Sequence, residues 1–307
     1  MTQVSYIVAV DTQRPHLEAM LAGLRGQDGD FSREFVFVDD GSDDGSFEFL
    51  IEKTRCWPRT LLIQQRRQGP AAAALTGAKA ATGDRWLFLD GDVVLAAGAT
   101  RLLLAAAQEG GLDMLLAART VCGAPAKHAF DLPGDAPQAE VVDGVHALLS
   151  GAQPPTRLML MRRGLFRDPG FFDAGVYLPD FAPPLQAALA HRVGVLDAAV
   201  GCSLPDAPSL ARRGGGQAEY DFSAAVAAFL AAHPELPARS RRAALCGCAR
   251  RAWRAARANR GAGLTSRFFW LYIKALLRVP MDVSAALDDS LAAWDGADIR
   301  RSAPPKG

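Results

Sequence analysis

Two carboxylates separated by one residue follow a short apolar run near the first third of the chain. Residues 86–89 are Trp-Leu-Phe-Leu, and they lead directly into Asp90-Gly91-Asp92. Because the run is continuous, it predicts a strand buried on both faces. Side chains i and i+2 of an extended chain point the same way, so both acids can converge on one target that Gly91 lets the backbone approach. A divalent cation carrying phosphate oxygens is such a target; the alternative is a polar turn.

Further aspartates end other apolar segments of the chain. Asp11 follows the run 4–10, and Asp39-Asp40-Gly41-Ser42-Asp43-Asp44 follows the run 35–38. A turn with a helix cap explains one of these acids, but not four aspartates within six residues. Asp180 stands just before Pro183-Pro184, where it can serve as a helix N-cap.

The order of the surrounding elements predicts an α/β fold. Apolar runs at 4–10, 35–38, 61–63, 86–90 and 113–117 alternate with helical patterns that begin at Pro15, near Ser46 and at Pro70, and with one over 99–108. Gly83 is expected to end the helix that begins at Pro70. Such alternation is typical of a mostly parallel sheet with helices on both faces, which binds ligands at its carboxyl edge. The first turn lacks Gly-x-Gly-x-x-Gly, which argues against a dinucleotide-binding dehydrogenase.

Charge and cysteine content bound the class of protein. The 307 residues carry a net charge of +1, but residues 239–278 hold eleven Lys/Arg and no Asp/Glu, so an acidic body precedes a basic C-terminal segment. An acidic body argues against nucleic acid as a partner. Five scattered cysteines are expected to be reduced, which favours a cytoplasmic location. Neither a signal peptide nor a run of transmembrane length is evident.

The ordered series of motifs resembles the family 2 glycosyltransferases of the GT-A fold, over about residues 4 to 200. The resemblance rests on the opening strand 4–10, on Val38-Asp39-Asp40-Gly41-Ser42 with Asp44-Gly45, on Gly69, Gly77, Ala81, Gly83 and Asp84, on Asp90-Gly91-Asp92, on Arg162 to Phe166, on Gly170 to Asp173, and on Asp180. The chain departs from the family pattern at 9–12, at Pro179 and at Gln186.

The resemblance implies a donor site for a nucleotide-sugar. Asp39 would accept a hydrogen bond from the base, expected to be uracil, with Asp11 near the same pocket. Asp90 would face the ribose and a Mn²⁺ or Mg²⁺ ion, and Asp92 would ligate that ion. The full set of expected donor-binding residues is Ala9, Asp11, Asp39, Asp40, Gly69, Asp90, Gly91 and Arg212, the last in a Gly-rich loop that could close as a lid. Arg66, Arg67, His128, His191 and His233 are weaker candidates for phosphate or metal contacts.

The resemblance also implies the reaction. Asp180 would be the general base of a single displacement with inversion, and Phe172 and Asp173 would shape the acceptor cleft. The expected activity moves a sugar from a nucleotide-sugar, UDP-linked in the first instance, to a glycan or lipid-linked acceptor of bacterial surface polysaccharide synthesis. Two alternatives stay open: a non-catalytic GT-A-like binding or scaffold protein, and a sugar nucleotidyltransferase, which should carry a Gly-rich basic loop after the first strand.

The composition divides the chain into two parts. Residues 1–215 are expected to form the GT-A domain, with a nucleotide half at about 1–118 and an acceptor half at about 119–215. Residues 216–307 are expected to form a basic, mainly helical extension. In it Arg250, Arg254 and Arg257 share one helical face, and an aromatic cluster at 268–273 follows. A basic helix beside aromatic residues fits an anionic membrane surface, so a peripheral position on the inner face of the plasma membrane is expected. A helical cap on the sheet or a dimer interface is the alternative.

Overall fold

The fold is built on one large sheet with a small second sheet beside it. The computed structural model describes residues 1–117, 120–121, 132, 138–142, 144–150, 158–166, 171–172, 176–204 and 216–300, with backbone alone for 120–121. Within these residues eight strands form the central sheet and three form the smaller one. The mixed α/β class predicted from the sequence is confirmed.

The strands and helices alternate along the first half of the chain, and helices fill its last third. The strands are β1 (Thr2–Val10), β2 (Phe31–Asp39), β3 (Thr60–Gln64), β4 (Arg85–Asp90), β5 (Val93–Leu95), β6 (Met114–Ala117), β7 (Thr120–Val121), β8 (Glu140–Val141), β9 (Leu158–Arg162), β10 (Val193–Leu196) and β11 (Gly201–Ser203). The helices are α1 (Leu17–Arg25), α2 (Ser46–Thr54), α3 (Pro70–Ala80), α4 (Ala99–Glu109), α5 (Gly144–Leu149), α6 (Ala182–Ala187), α7 (Gln217–Ala232), α8 (Ala238–Arg260), α9 (Arg267–Leu276) and α10 (Val283–Leu291).

The strand order places β1 and β4 near the middle of the central sheet. The order is β3-β2-β1-β4-β9-β6-β10-β8. Strands β3, β2, β1 and β4 are mutually parallel, whereas β9 runs antiparallel to both of its neighbours. The carboxyl ends of β1, β2 and β4 therefore lie at one edge. Parallel sheets of this kind bind ligands at that edge.

Each face of the central sheet buries its own apolar core. Successive residues of β4 divide between the two cores, because strand side chains alternate in direction: Trp86 and Phe88 belong to one core, Leu87 and Leu89 to the other. Helices α1, α2 and α4 cover the second of these cores. The prediction of a strand buried on both faces is confirmed, since residues 86–89 are at most 6% exposed.

The C-terminal helices complete the first core. Phe222, Val226 and Phe229 of α7, Leu245 of α8 and Leu287 of α10 pack in the same cluster as Trp86 and Phe88. One face of α8 is buried, at Leu245, Ala249, Ala252 and Ala256. Arg254 and Arg257 are exposed, and Arg250 is half-buried. The boundary at residues 215 and 216 stays a prediction.

Several element boundaries differ from the sequence-based expectation. Strand β2 begins at Phe31, because residues 31–34 pair with the first residues of β1. Helix α1 begins at Leu17, with Pro15 in the preceding turn. Helix α3 ends at Ala80 and its cap is Ala81. Gly83 instead lies against β1, where its N–H donates to Ser5 Oγ at 2.9 Å and a Cβ would stand 2.5 Å from that oxygen.

One cysteine contradicts the expected redox state. Cys202 of β11 is disulfide-bonded, whereas Cys56, Cys246 and Cys248 are free. The expectation that all five cysteines are reduced is therefore wrong, and the cytoplasmic location loses one of its premises. In the part of the chain that the structure describes, no helix combines the length and the apolar character needed to cross a membrane.

Candidate active site

The predicted donor residues meet at the carboxyl edge of three neighbouring strands. Ala9 of β1 pairs in register with Asp90 of β4, and Val10 pairs with Asp39 of β2. Asp39 and Asp90 are the last residues of their strands. The parallel sheet thus brings together acids that are 51 positions apart in the sequence.

Asp39 is fully buried, and only one of its two carboxylate oxygens accepts hydrogen bonds in the described structure. Its Oδ2 accepts hydrogen bonds from Ser42 N at 3.2 Å and from Gln64 Nε2 at 3.1 Å. Its Oδ1 is buried and has no hydrogen-bond partner in the part of the chain described here. A buried acceptor without a donor is unfavourable by about 1–3 kcal/mol, so such an atom indicates a place for a ligand N–H.

Asp40 holds the loop that carries Gly69. Its carboxylate accepts from Gly69 N at 2.7 Å, from Gln68 N at 2.8 Å and from Gln65 Nε2 at 2.7 Å. Burial raises the pKa of Asp40, these hydrogen bonds lower it, and the charge of Asp11 raises it further. With three internal partners, Asp40 positions the loop of Gly69, whose φ of +105° favours glycine.

Asp11 forms an ion pair at the same edge. Its Oδ1 lies 2.9 Å from Arg67 Nη2, which also contacts Thr12 Oγ1 at 2.9 Å and Gly41 O at 3.1 Å. Arg67, a weaker candidate for phosphate binding, is therefore engaged in bridging the turns that follow β1 and β2. Arg66 is exposed.

The two acids of Asp90-Gly91-Asp92 differ in exposure. Asp90 is half-buried, and Asp92 is fully buried. The backbone carbonyl of Asp92 accepts from Leu204 N at 3.2 Å. Gly91 packs against Gln13: a Cβ at Gly91 would stand 2.4 Å from Gln13 Oε1. From the sequence, Gly91 was expected to let the backbone approach a ligand. The described neighbours give a different reason for glycine at this position, because a side chain would clash with Gln13.

Asp180 and Asp90 line one small cavity. Its other walls are Ile7, Ala9, Ala74, Phe88, Leu89, Met159 and Pro179. Helix α6 begins at Ala182 with Phe181 as its N-cap, and no side chain caps it. The alternative interpretation of Asp180 as a helix N-cap is therefore wrong, and Asp180 is half-buried at the cavity that it shares with Asp90.

The other residues predicted for the site do not line this cavity in the described structure. Phe172 is 3% exposed and its ring centroid is 5.3 Å from that of Phe88, so it packs behind the cavity. His191 contacts Asp113 and His233 contacts Glu235, away from the aspartates of the carboxyl edge. Asp173, Arg212 and His128 lie outside the described residues.

A large groove lies at the opposite, amino edge of the sheet. It encloses about 920 Å³, and Arg85 and Arg162, which pair across β4 and β9, line it with Asp113 and Trp86. The chain from Arg162 to Phe166 therefore leads away from the acidic cavity before Phe172 returns towards it. None of the donor-edge aspartates lines this groove.

Sequence reasoning missed a buried acid that supports the segment before Asp180. Asp221 of α7 is fully buried and accepts from Tyr177 N and Leu178 N, each at 3.1 Å. Burial raises its pKa to about 6, against the effect of these hydrogen bonds. The available signal was that Asp221, unlike Glu219 of the same helix, stands between two aromatic residues, Tyr220 and Phe222. The partner of Asp221, however, stands 44 positions earlier in the chain.

Comparison with known proteins agrees with this geometry. Residues 5–133 match the model of glycosyl transferase family 2. Over these residues the match confirms the resemblance to the family 2 glycosyltransferases seen in the sequence. EpsH of Bacillus subtilis (strain 168), described as a glycosyltransferase, is 35% identical over 89 residues, which are 29% of this chain and 26% of EpsH.

A second relative is the dolichol-phosphate mannosyltransferase of Pyrococcus furiosus, which is 26% identical over 121 residues, 39% of this chain and 34% of that protein. The chain thus aligns with about a third or less of the length of these relatives.

Solved structures share the fold over nearly the whole chain. S. aureus TarS 1–349, in complex with UDP-GlcNAc, superposes with a TM-score of 0.61 at 20% identity and covers 96% of this chain and 91% of that one. Mannosyltransferase PcManGT from Pyrobaculum calidifontis, in complex with GDP-Man and Mn²⁺, gives 0.56 at 18% identity, with 95% and 86% covered. At such identities the likeness establishes the GT-A fold.

Proposed function

We propose that this protein is an inverting glycosyltransferase that moves a sugar from a nucleotide-sugar, UDP-linked in the first instance, to a hydroxyl of a glycan or lipid-linked acceptor. The observation that carries the proposal is the cavity shared by Asp90 and Asp180 at the carboxyl edge of the sheet. Such a transfer needs a group that faces the donor and a base that faces the acceptor, and these two acidic residues line one space.

The nucleotide would bind where β1, β2 and β4 end. Asp39 Oδ1, buried without a partner in the described structure, suits the N3–H of uracil. Ala9 and Asp11 stand beside it, and Asp40 and Gly69 form the loop behind it. TarS and PcManGT were solved with UDP-GlcNAc and GDP-Man respectively, which supports a nucleotide-sugar as the donor and leaves the base to experiment.

A divalent cation fits the acids at this edge. Magnesium and manganese ions take one or two carboxylates and complete their shell with water and substrate phosphates, and Asp90 with Asp92 offers that donor set. No group of three or more His, Cys, Asp or Glu side chains suited to a metal occurs among the described residues. Two protein carboxylates would therefore hold the ion together with the donor. When bound, the ion would stabilise negative charge on the departing diphosphate.

Asp180 would act as the general base. Its ionised carboxylate takes the proton of the acceptor hydroxyl while that oxygen forms a bond to the anomeric carbon. The bond from the same carbon to the diphosphate oxygen breaks, and the nucleoside diphosphate leaves from the opposite face, so the configuration inverts. Proton transfer by a positioned side chain contributes typically about 10²–10⁴-fold in rate. Phe172 and Asp173 would shape the acceptor side.

Calorimetric titration tests the donor site first. UDP, GDP and dTDP are titrated into the protein with Mn²⁺ and with EDTA, using wild type, Asp92→Asn and, as a control, Glu52→Gln on the exposed face of α2. We expect metal-dependent binding that Asp92→Asn removes and Glu52→Gln leaves intact. Absence of binding by all three nucleotides would favour the scaffold alternative.

Turnover then tests the base. With the nucleotide-sugar of the base that binds, release of nucleoside diphosphate to an acceptor extract is expected to fall about 10²–10⁴-fold in Asp180→Asn, with donor affinity retained. Equal loss of binding and turnover would contradict the role of Asp180. Formation of a nucleotide-sugar from sugar phosphate and nucleoside triphosphate would instead identify a nucleotidyltransferase.

We also propose that α9 places the enzyme on an anionic membrane surface on the cytoplasmic side, which suits lipid-linked acceptors of surface polysaccharide synthesis. Three exposed apolar side chains, Trp270 at 52%, Leu276 at 53% and Leu277 at 69%, lie in α9 or directly after it. The exposed basic residues Arg267, Lys274 and Arg278 lie in the same stretch. Aromatic and basic side chains together favour the headgroup region.

Vesicle sedimentation tests this second proposal. The full chain is mixed with phosphatidylcholine vesicles with and without phosphatidylglycerol. We expect binding to the anionic vesicles that falls in Trp270→Ser/Leu277→Ser and persists in Ile51→Ser, which removes an apolar side chain of similar exposure on α2. Equal sedimentation of both variants would contradict a membrane role for α9.

A further inference from the structure

A buried glutamine fixes the last part of the described chain. Gln217, the first residue of α7, is 5% exposed and uses both ends of its amide on the backbone of Arg300. Its Oε1 accepts from Arg300 N at 2.8 Å, and its Nε2 donates to Arg300 O at 2.9 Å. These hydrogen bonds set the position of Arg300 without using the Arg300 side chain. The residue lies far beyond the family match, which ends at 133.

The same glutamine is joined to the segment before the proposed base. Its Nε2 also donates to Asp221 Oδ2 at 3.1 Å, and Asp221 accepts from the backbone N–H groups of Tyr177 and Leu178. Tyr177 O in turn accepts from Ala71 N at 3.1 Å, in the first turn of α3. A connected set of hydrogen bonds therefore runs from Arg300 to the loop of the donor edge.

The side chains of Tyr177 and Arg300 lie at that edge. The Tyr177 ring packs on Gly69, where a Cβ would stand 2.7 Å from the ring. The Arg300 guanidinium lies beside the Tyr177 side chain, and this neighbour is the main cause of the raised pKa of Arg300. Burial raises the pKa of Tyr177, and the charges of Asp11 and Asp40 raise it further. Asp11 also acts on Arg300 and contributes to the raised pKa of that guanidinium. Arg300 is thus within electrostatic reach of the donor residues.

The two arginines at this edge differ in their partners. Arg67 is paired with Asp11 at 2.9 Å, so its charge is largely balanced by a carboxylate. The main neighbour of the Arg300 guanidinium is the neutral phenol of Tyr177, and Arg300 is half-buried. The charges of Asp11 and Asp298 act on this guanidinium more weakly. A nucleoside diphosphate brings negative charge into a pocket already rich in aspartates. A guanidinium suits it because it gives paired, charge-assisted hydrogen bonds to phosphate.

We propose that Arg300 is a donor-binding residue that contacts the phosphate groups of the nucleotide, and that Gln217 and Asp221 are positioning residues that hold Arg300 and Tyr177 at the pocket. This inference rests on the proposed function, because it assumes that the carboxyl edge binds a nucleotide. It gives the C-terminal part of the chain a role in the donor site in addition to packing on the sheet.

The test compares a nucleoside diphosphate with its nucleoside. UDP and uridine, or the corresponding pair for GDP or dTDP if one of those binds, are titrated into the full-length protein. The variants are Arg300→Ala, Arg300→Lys, Gln217→Leu and the control Arg242→Ala, an exposed arginine of α8. Melting temperatures confirm folding, and Arg300→Ala keeps both backbone bonds to Gln217.

The expected result is a selective loss of the phosphate contribution. Arg300→Ala and Gln217→Leu should weaken the diphosphate about tenfold or more and change the nucleoside less than about twofold, since a charge-assisted hydrogen bond is lost. Arg300→Lys should be intermediate and Arg242→Ala unchanged. Equal weakening of diphosphate and nucleoside, or no weakening in Arg300→Ala, would overturn the assignment of Arg300 alone. Wild type that binds none of the diphosphates would overturn the donor site as well.

Discussion

Replacing Asp39 by asparagine should weaken nucleotide binding while leaving the free energy of unfolding nearly unchanged. In the folded protein Oδ2 of Asp39 has two internal donors, Ser42 N and Gln64 Nε2, whereas Oδ1 has none in the described structure. An asparagine would keep its oxygen towards those donors, so its NH₂ group would occupy the position of Oδ1. The internal hydrogen bonds survive, and the acceptor proposed for the base becomes a donor.

The magnitude follows from the type of bond that is lost. A hydrogen bond to a charged group contributes roughly 1.5–3 kcal/mol, which corresponds to about a 10- to 150-fold change in affinity. Asp39→Asn should therefore weaken UDP by about that factor, because uracil N3–H would face another donor. Cytosine has an acceptor at N3, so the ratio of UDP to CDP affinity should fall further than UDP affinity alone.

Calorimetry with UDP and CDP, together with urea unfolding, checks both halves of this expectation. The free energy of unfolding should change little, since Oδ1 contributes no internal bond. Asp39→Asn that binds UDP as wild type does, with an unchanged preference over CDP, would refute the assignment of Oδ1 to the base. A large loss of stability would show instead that Oδ1 has a structural partner.

The remaining predictions concern packing and pH. Gly77→Ala should lower the free energy of unfolding by about 1–3 kcal/mol, because its Cβ would stand 2.4 Å from a β1 side chain; urea titration checks this, and Gly164→Ala, with open space around it, should be near neutral. Gly91→Ala would push Gln13, 2.4 Å away, and should lower turnover, measured as nucleotide release. Asp221 has a pKa raised to about 6 in the folded state, so the folded protein binds its proton more tightly. Its contribution is therefore greatest below about pH 4 and is lost as pH rises to about 6, by on the order of 2–3 kcal/mol. The stability of wild type minus that of Asp221→Asn should fall over this range in urea titrations; a flat difference would contradict the raised pKa.

Local patterns predicted the carboxyl edge of the sheet well. A continuous apolar run ending in acids identifies a buried parallel strand and its carboxyl end, so residues 86–92 and 35–40 were placed correctly from the sequence. The alternation of strands and helices then implied that Asp39 and Asp90 share an edge, as they do. The general rule for open α/β sheets, rather than any single motif, made that inference sound.

Contacts between distant parts of the chain were beyond the reach of sequence patterns. The carboxylate of Asp221 binds backbone 44 positions earlier, and Gln217 binds backbone 83 positions later. Neither spacing belongs to a helix or strand period. The roles expected for Gly83 and Gly91 differ from those in the structure for a related reason. A sequence shows that a position lacks a side chain, but only the folded structure shows which neighbouring atoms a side chain would contact.

The unequal composition of the two cores has a consequence for synthesis on the ribosome. The core under α1, α2 and α4 is formed by residues 4 to 200, so its members are present well before the chain is complete. The core on the other face also needs Phe222, Leu245 and Leu287. Trp86 and Phe88 therefore keep an incompletely covered apolar face until α7, α8 and α10 emerge. Folding from the N-terminus can finish one side of the sheet early, while the other side is exposed to aggregation or chaperone binding until translation nears its end.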